Sequence, residues 1–564
     1  MGQAETGRVP KKPFWRRHPR WTWAVGVALV VLAALAVAVS VALHRAEPYV
    51  RSRIVSALEN HFHAHVELDS FHMSLVNGLW AEGKGLRIWP PAPPGSSPGS
   101  PAAAPIRGAP LIELAEFRFH APLQYSPGKP FHISKIELKG LNVNLPPKKR
   151  FAHAGKASQP ANGGGALARI VVGTIECTDA HLTMETDKPG KLPLEFAIAR
   201  LRLTNVSAGG AMRFKAELTN PKPVGTIYTQ GTFGPWVVDD PGESAVAGAY
   251  HFEHANLATF KGIAGILSST GRFGGTLRDI TVDGETDTPD FRLTRAGNPM
   301  HLRTRFHAHV DGTDGDTWLE PVDATLGNSH FTAQGKIVRV TAPGTPNGQP
   351  LRSLGHDIAL TVNVDNGHIE DFLLLTSNDK TPMLTGAITV KTTLDIPPGP
   401  ARVEDRLKLN GSFTLTNALF TSAKIQGRIK ELSLRGQGQP KGGNGADAAA
   451  VRSTMQGDFQ MAAGVVTLPS LKYIVPGAEI ELKGTYGIAS GALSFTGRAR
   501  MQATISQMVG GWKGFLLKPA DKIFEKNGAG TSVPIVIGGT REKPDFGIDF
   551  GGIKKTSPQR PGGP

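Results

Sequence analysis

The stretch LKLNGSFTLTNAL, Leu407–Leu419, sets Leu407, Leu409, Phe413, Leu415 and Leu419 against Lys408, Asn410, Ser412, Thr414 and Thr416. Successive side chains of a strand point to opposite faces, so a period of two places the apolar groups on one side and the polar groups on the other. A helix would scatter both sets around its axis. The segment therefore reads as a strand with one apolar and one wet face, as in an antiparallel sheet.

The same alternation extends in both directions. Ile388, Val390, Leu394 and Ile396 oppose Thr389, Lys391, Thr393 and Asp395. Ile480 and Leu482 lie among Glu479, Glu481 and Lys483, and Leu493 and Phe495 alternate with Ser494 and Thr496. Toward the N-terminus, Val66, Leu68 and Ser70, then Leu86 and Ile88, repeat it. The 67 glycines and 43 prolines fall between such runs as turn punctuation. No exact repeat is present, only a recurring strand pattern.

Few stretches break the period. Residues 47–60 predict a short helix with Tyr49, Ile54, Val55 and Leu58 as its apolar stripe. Further helices are predicted over Leu257–Ser268, Ile369–Leu375 and Ile505–Lys526. The last carries Met508, Val509, Trp512, Phe515 and Leu516 with four lysines, suited to a membrane surface or to capping a sheet end. Loops are expected near 90–110, 153–166, 341–350 and 436–449, where Pro, Gly, Ser and Ala gather. About 25–30 strands over residues 66–550 would span roughly 120–145 Å at ~4.8 Å each, and twist would bend such a sheet into a trough or spiral. An apolar face on that sheet closes on itself, packs on another sheet, or holds lipid chains; the pattern alone leaves the three open.

The N-terminus follows another rule. Residues 21–43 run 23 positions without a charge, behind six basic residues at Arg8, Lys11, Lys12, Arg16, Arg17 and Arg20. As a helix this segment is about 35 Å long, enough for a hydrocarbon core of about 30 Å. Trp21 and Trp23 suit the interface, and the basic flank is expected to stay cytoplasmic. A cleaved signal peptide would have a shorter apolar core. The reading is a cytoplasmic tail at 1–20, a transmembrane helix at 21–43, a translocated β-rich region at 44–550 and a polar tail at 551–564.

The single cysteine, Cys177, excludes an internal disulfide, so burial and backbone pairing must hold the translocated part together. Net charge is +15, of which the first twenty residues carry +5. The rest is spread thinly, which suits solubility or attraction to anionic lipid. No basic run with interleaved aromatics argues for nucleic acid.

Short segments also carry a family resemblance. EPYVRSRIVSALENHF and AHVELDSFHMSLVNGLWAEGKGLRIW, within residues 46–89, resemble the opening of AsmA-like proteins, the AsmA/TamB-like bacterial envelope group. FHISKIELKGLNVNL at Phe131–Leu145 resembles the strand pair that follows, and VPIVIGGTREKPDFGIDF at Val533–Phe550 the family's closing strands. GRFGGTLRDITVDGETDTPDF at Gly271–Phe291 is similar in style. The resemblance implies an inner-membrane-anchored protein with its bulk in the periplasm and a hydrophobic β groove for phospholipid. The chain departs from the pattern in a glycine- and proline-rich insert after Trp89. It has no second apolar segment, so delivery would be to a periplasmic or outer-membrane partner.

Signals for chemistry are weaker. His307, His309 and Asp311 share one strand face, a spacing that could hold a metal. They resemble the first metal motif of the metallo-β-lactamase fold, but Gly312 replaces its final histidine and the neighbouring pattern is not α/β. His61, His63 and His65 repeat the spacing. Asp311, Asp314 and Asp316 have the oxygen density of a calcium loop, but position twelve is Val322, so a tight turn is expected. Cys177 sits in an alternating segment as a half-buried residue.

The expected fold is mainly β: one transmembrane helix, then a long, curved, largely antiparallel sheet shaped as a groove, with a few short helices. The expected function is non-enzymatic and cofactor-free. Phospholipid or another acyl lipid would be carried or sheltered along Ile388, Val390, Leu394, Leu409, Phe413, Leu415, Leu482 and Phe495. A non-catalytic scaffold for envelope proteins is the alternative, and a metal-dependent envelope hydrolase built on His307, His309 and Asp311 a third.

Overall fold

The chain is described from a computed structural model. It covers residues 47–56, 58–59, 62, 64–74, 79–89, 109–121, 131–147, 170–206, 210–237, 240–295, 297–342, 351–440, 450–509 and 531–548. The apolar segment 21–43 and its basic flank, most of the predicted loops 90–110, 153–166, 341–350 and 436–449, most of Ile505–Lys526 and the tail from 551 lie outside these residues; of the loops' described ends, 341–342 belong to a strand and Gly436 to a helix. Among the described residues no helix is long and apolar enough to cross a membrane.

The molecule is mainly β and its strand pairings are antiparallel, as the alternation predicts. The contacts group it into two units.

The first unit comprises residues to Asn144, Arg150–Leu182 and Arg200–Phe214. Strands β1 (Val66–Ser74), β2 (Leu79–Ile88), β3 (Ile112–Ala121) and β4 (Phe131–Leu145) pair in chain order. Strands β5 (Ile170–Met184), β6 (Leu194–Val206) and β7 (Met212–Pro221) follow, and their residues are divided between the two units. Leu68, Phe71, Ala81, Leu114 and Phe117 form a buried core against helix α1 (47–56). Val50, Ile54 and Val55 supply the helix side of it, and Val55 and Leu58 pack beside Val66 and Ile88. Tyr49, expected in that stripe, is instead 63% exposed and meets Arg53 one turn away. The helix also satisfies β1's backbone: Glu47 accepts from Met73 N–H at 3.0 Å and Arg51 donates to the Leu68 carbonyl.

The second unit comprises Leu145–Lys149, Thr183–Ala199 and Lys215 onward. Its sheet begins with β8 (Val224–Phe233), β9 (Ala245–Asn256), β10 (Ile263–Ala264), β11 (Ile266–Thr276) and β12 (Asp279–Leu293). It continues through β13 (Met300–Asp311), β14 (Thr317–Leu326), β15 (Ser329–Ala342), β16 (Arg352–His368), β17 (Leu384–Ile396) and β18 (Lys408–Phe420). Strands β19 (Ser453–Ala462), β20 (Val465–Val475), β21 (Ala478–Gly487), β22 (Leu493–Met501), β23 (Thr531–Gly539) and β24 (Pro544–Ile548) complete it. Apart from two-residue β10, which pairs with β12, each strand pairs with the next.

Among the described residues, four helices interrupt this meander: α2 (Ile369–Thr376), α3 (Val403–Arg406), α4 (Ala423–Gly436) and α5 (Ile505–Val509). Helix α2 matches its prediction, and α5 is the described start of the predicted Ile505–Lys526 helix. Leu257–Ser268 is not a helix. A 3-10 turn at Leu257–Thr259 gives way to β10 and β11, because Gly262 and Gly265 hold φ of +108° and +140°, outside the helical region. Helix α4 has no counterpart among the sequence expectations.

Register shifts at most pairings from β9–β11 through β20–β21, though not at β11–β12, mark bulges that twist and bend the sheet. Thr294 after β12 and Arg402 after β17 would lie more than about 24 Å apart on a flat sheet, since five strand spacings of ~4.8 Å separate them sideways and they follow opposite ends of their strands. Their side chains are hydrogen-bonded at 3.2 Å, Val403 N–H donates to Lys261 O at 2.9 Å, and Arg295 pairs with Asp405 at 3.2 Å. The sheet of this unit is therefore strongly curled.

Candidate functional site

Directly opposed residues of an antiparallel pair share a face, so register assigns every side chain to one side. In the second unit, Leu394 opposes Leu409, Val390 opposes Phe413, and Ile388 opposes Leu415. Leu482 faces Gly497, and Phe495 faces Gly484. Phe413 is linked to Leu482 through Gly457 and Leu471. All eight residues predicted to line a groove thus occupy one continuous face. Their neighbours Lys391, Ser412, Glu481 and Thr496 occupy the other.

Cover differs along that face. Leu415 is 2% exposed and Ala418 0%, beneath Ile369 and Phe372 of α2, and Ile388 is buried with them. Helix α4 similarly lays Ile425, Ile429 and Leu432 over Tyr473, Val475, Ala478 and Met501. Both helices cover the same end of their strands. Toward the other end, Val390, Leu394, Leu409, Phe413 and Leu482 are only half-buried, whereas Phe495 is buried. Leu419, expected with this set, lies on the opposite face opposite Thr385. A bulge at Asn417, with φ of +55°, shifts the phase and gives the apolar position to Ala418.

The curl encloses the apolar side. The 293–300 loop bonds to α2, which itself lies on the apolar residues. Asn298 Nδ2 donates to the carbonyls of Leu374, Ser377 and Asp379 at 3.2, 2.9 and 2.8 Å, and Gly297 N–H donates to Asn378 Oδ1 at 3.1 Å. At the start of α2, the buried Asp371 accepts from Ser329 Oγ–H at 2.7 Å and Asn328 N–H at 2.9 Å. Polar junctions at both ends thus fasten this helix over the face.

The opposite face is a ladder of charge. Across β12 and β13, Asp279 meets His309 at 3.0 Å, Asp283 meets His307 at 2.6 Å, Glu285 meets Arg305 at 2.9 Å and Asp287 meets His301 at 2.5 Å. The Asp283 hydrogen bond holds the His307 imidazolium to a higher pKa than usual, and the His301 bond holds the Asp287 carboxyl below its usual value. These exposed pairs contribute little each. They also answer the metal reading: His307 and His309 turn to separate carboxylates, and Asp311 turns away to a lysine. Among the described residues no group of three or more His, Cys, Asp or Glu is arranged to hold a metal. His61 and His63 lie outside the described residues, and His65 sits beside Glu59 and Glu67.

Asp311, Asp314 and Asp316 form a turn, as expected, and two lysine ammonium groups occupy the place a cation would take. Lys188 Nζ donates to Asp311 at 2.6 Å and Asp314 at 2.8 Å, and Lys191 Nζ to Asp316 at 2.7 Å. Burial works against the charge on both Lys188 and Asp311. Burial is the largest single influence, yet the hydrogen bonds taken together (Lys188 to Asp311 and Asp314, Thr313 to Asp311) and the charge attraction outweigh it, so the ammonium pKa is raised and the carboxyl pKa lowered. The spacing Thr-Asp-Lys188-Pro-Gly-Lys191 gives no hint of this partnership, which joins positions 123 to 126 residues apart. Cys177 is buried, and burial pushes its thiol up to about 11, so it is a poor nucleophile at neutral pH.

A cavity of about 630 Å³ lies over β18–β22. Its lining comes chiefly from the polar face, with Ser412, Thr414, Gln456, Lys483 and Arg498, while Phe413, Leu471 and Leu482 also reach it. It is distinct from the curled apolar side. Comparison of the chain with protein-family models, curated proteins and solved structures finds no match.

Proposed function

We propose that this protein carries or shelters acyl lipid along the apolar face of its second unit, without making or breaking a bond. One observation supports this above the others. A curled sheet keeps a continuous apolar side half-open between its helix-covered end and its charged turns, where a core would be closed. Acyl burial is worth ~0.8 kcal/mol per CH₂, so one chain of ordinary length gains on the order of 10 kcal/mol. Headgroups would remain in water.

Residues 21–43 and their basic flank support anchoring in a bacterial inner membrane, with the β-rich region in the periplasm. The resemblance to AsmA-like proteins supports the same placement and a role in envelope biogenesis, with phospholipid as the ligand. The test is native mass spectrometry of the full chain extracted in detergent. Bound phospholipid in stoichiometric amount is the expected result. A lipid-free protein that retains its fold would favour the scaffold reading.

A further inference from the structure

One row of the apolar face differs from its neighbours in relief. It passes from Thr229 through Tyr250, Gly271 and Gly284 to Phe306. Beyond a bulge it resumes at Val322, Ala333, Val362, Thr392 and Gly411 and reaches Phe459. Beyond a second bulge it runs through Leu468, Gly484 and Phe495 to Ile537. No residue of the row is charged.

Its aromatic rings lie down over three of its glycines, Gly271, Gly284 and Gly484. A Cβ added at Gly271 would meet the Tyr250 ring at 2.7 Å, and one at Gly284 would meet Tyr250 Oη at 2.5 Å and Phe306 Cζ at 2.7 Å. At Gly484 the Phe495 ring stands at 2.7 Å. A ring folded across a neighbouring glycine fills the gap and keeps the surface low. Between these paved sections the row holds small and branched groups and one further ring, Phe459. The adjacent row stands higher, with Leu360, Leu394 and Leu409 directly opposed in turn.

We infer that this row is the track of the acyl chain, which lies across the strands with its methylenes on the half-buried, glycine-seated rings of Tyr250 and Phe306. This rests on the lipid reading above and specifies the path. From β8 to β23 the row is about 70 Å long at ~4.8 Å per strand, room for several chains end to end. The floor's chemistry favours a hydrocarbon over an extended polypeptide. The ladder already uses the strands' backbone donors and acceptors, so a peptide laid on this face would bury its own without partners.

The test uses the full-length protein in detergent, loaded with a phosphatidylcholine carrying a diazirine in mid-chain. After illumination, adducts are mapped by peptide mass spectrometry. Adducts are expected on Tyr250, Phe306 and Phe459, and not on Arg305 or Gln460 of the charged face. Adducts concentrated on Leu360, Leu394 and Leu409 would overturn the track and leave the lipid reading standing. Protein that binds the probe without adducts anywhere on the apolar face would overturn both.

Discussion

Leu415 and Leu409 sit on one strand and one face, six residues apart, yet only Leu415 is sealed. Helix α2 presses Ile369 and Phe372 onto the Leu415 end, and no described helix covers Leu409 in the same way. Both positions satisfy the same alternation, so apolarity alone does not separate a core residue from a lining residue. What separates them is the element that lies on top. Ile388 and Leu415 are therefore core positions, and Leu394, Leu409 and Phe413 are candidates for contact with a ligand.

Truncation should expose this contrast most strongly. Leu415→Ala is expected to cost about 3–4 kcal/mol in urea denaturation, within the usual range for a fully buried leucine. Leu409→Ala should cost less, about 1–2 kcal/mol, because part of its surface is already open. Equal losses at the two positions would break the distinction.

The cap itself can be loosened. Asn298→Ala removes three side-chain donations to the end of α2 and should cost about 1–2 kcal/mol. Hydrogen exchange should then rise in α2 and around Leu415, with Leu409 little changed. Unaltered exchange in α2 would show that apolar packing alone holds the helix.

The other ends of β13 and β14 are held by charge instead, so pH should distinguish the two ends. The folded Asp311 carboxyl is lowered, so its contribution is present above the ordinary Asp value of ~3.9 and is lost as pH falls through its folded value. Lys188 is raised, so its share is present below the ordinary Lys value of ~10.4 and fades only as pH rises through the folded value. Between those limits the clamp should be insensitive to pH. On acidification, exchange should rise first at the Asp311–Asp316 turn, and Asp311→Asn should remove that acid step. The smallest effect belongs to the charged face: His307→Ala should change stability by less than about 0.5 kcal/mol at neutral pH.

The alternation in the sequence was enough to place strands and faces, but not the register that chooses cross-strand partners. Leu394 with Leu409, and Val390 with Phe413, share a face because a two-residue period survives any register that keeps the apolar face together. Bulges were not legible. Asn417 adopts a left-handed conformation that its neighbours do not announce, and the phase error at Leu419 follows from it. Helix α4 was hidden because Ile425, Ile429 and Leu432 lie among polar residues whose composition resembles a loop. The Asp311–Asp316 turn was legible as a turn, while its lysine partners were not, since pairing across more than a hundred residues leaves no local signal.

Ser412 and Phe413 are adjacent in sequence and point to opposite faces, which makes them the sharpest pair for the central claim. Native mass spectrometry of the detergent-extracted full chain should find phospholipid retained by Ser412→Asp and lost from Phe413→Asp, with both variants folded. Equal lipid occupancy in the two folded variants would contradict an acyl-binding apolar face.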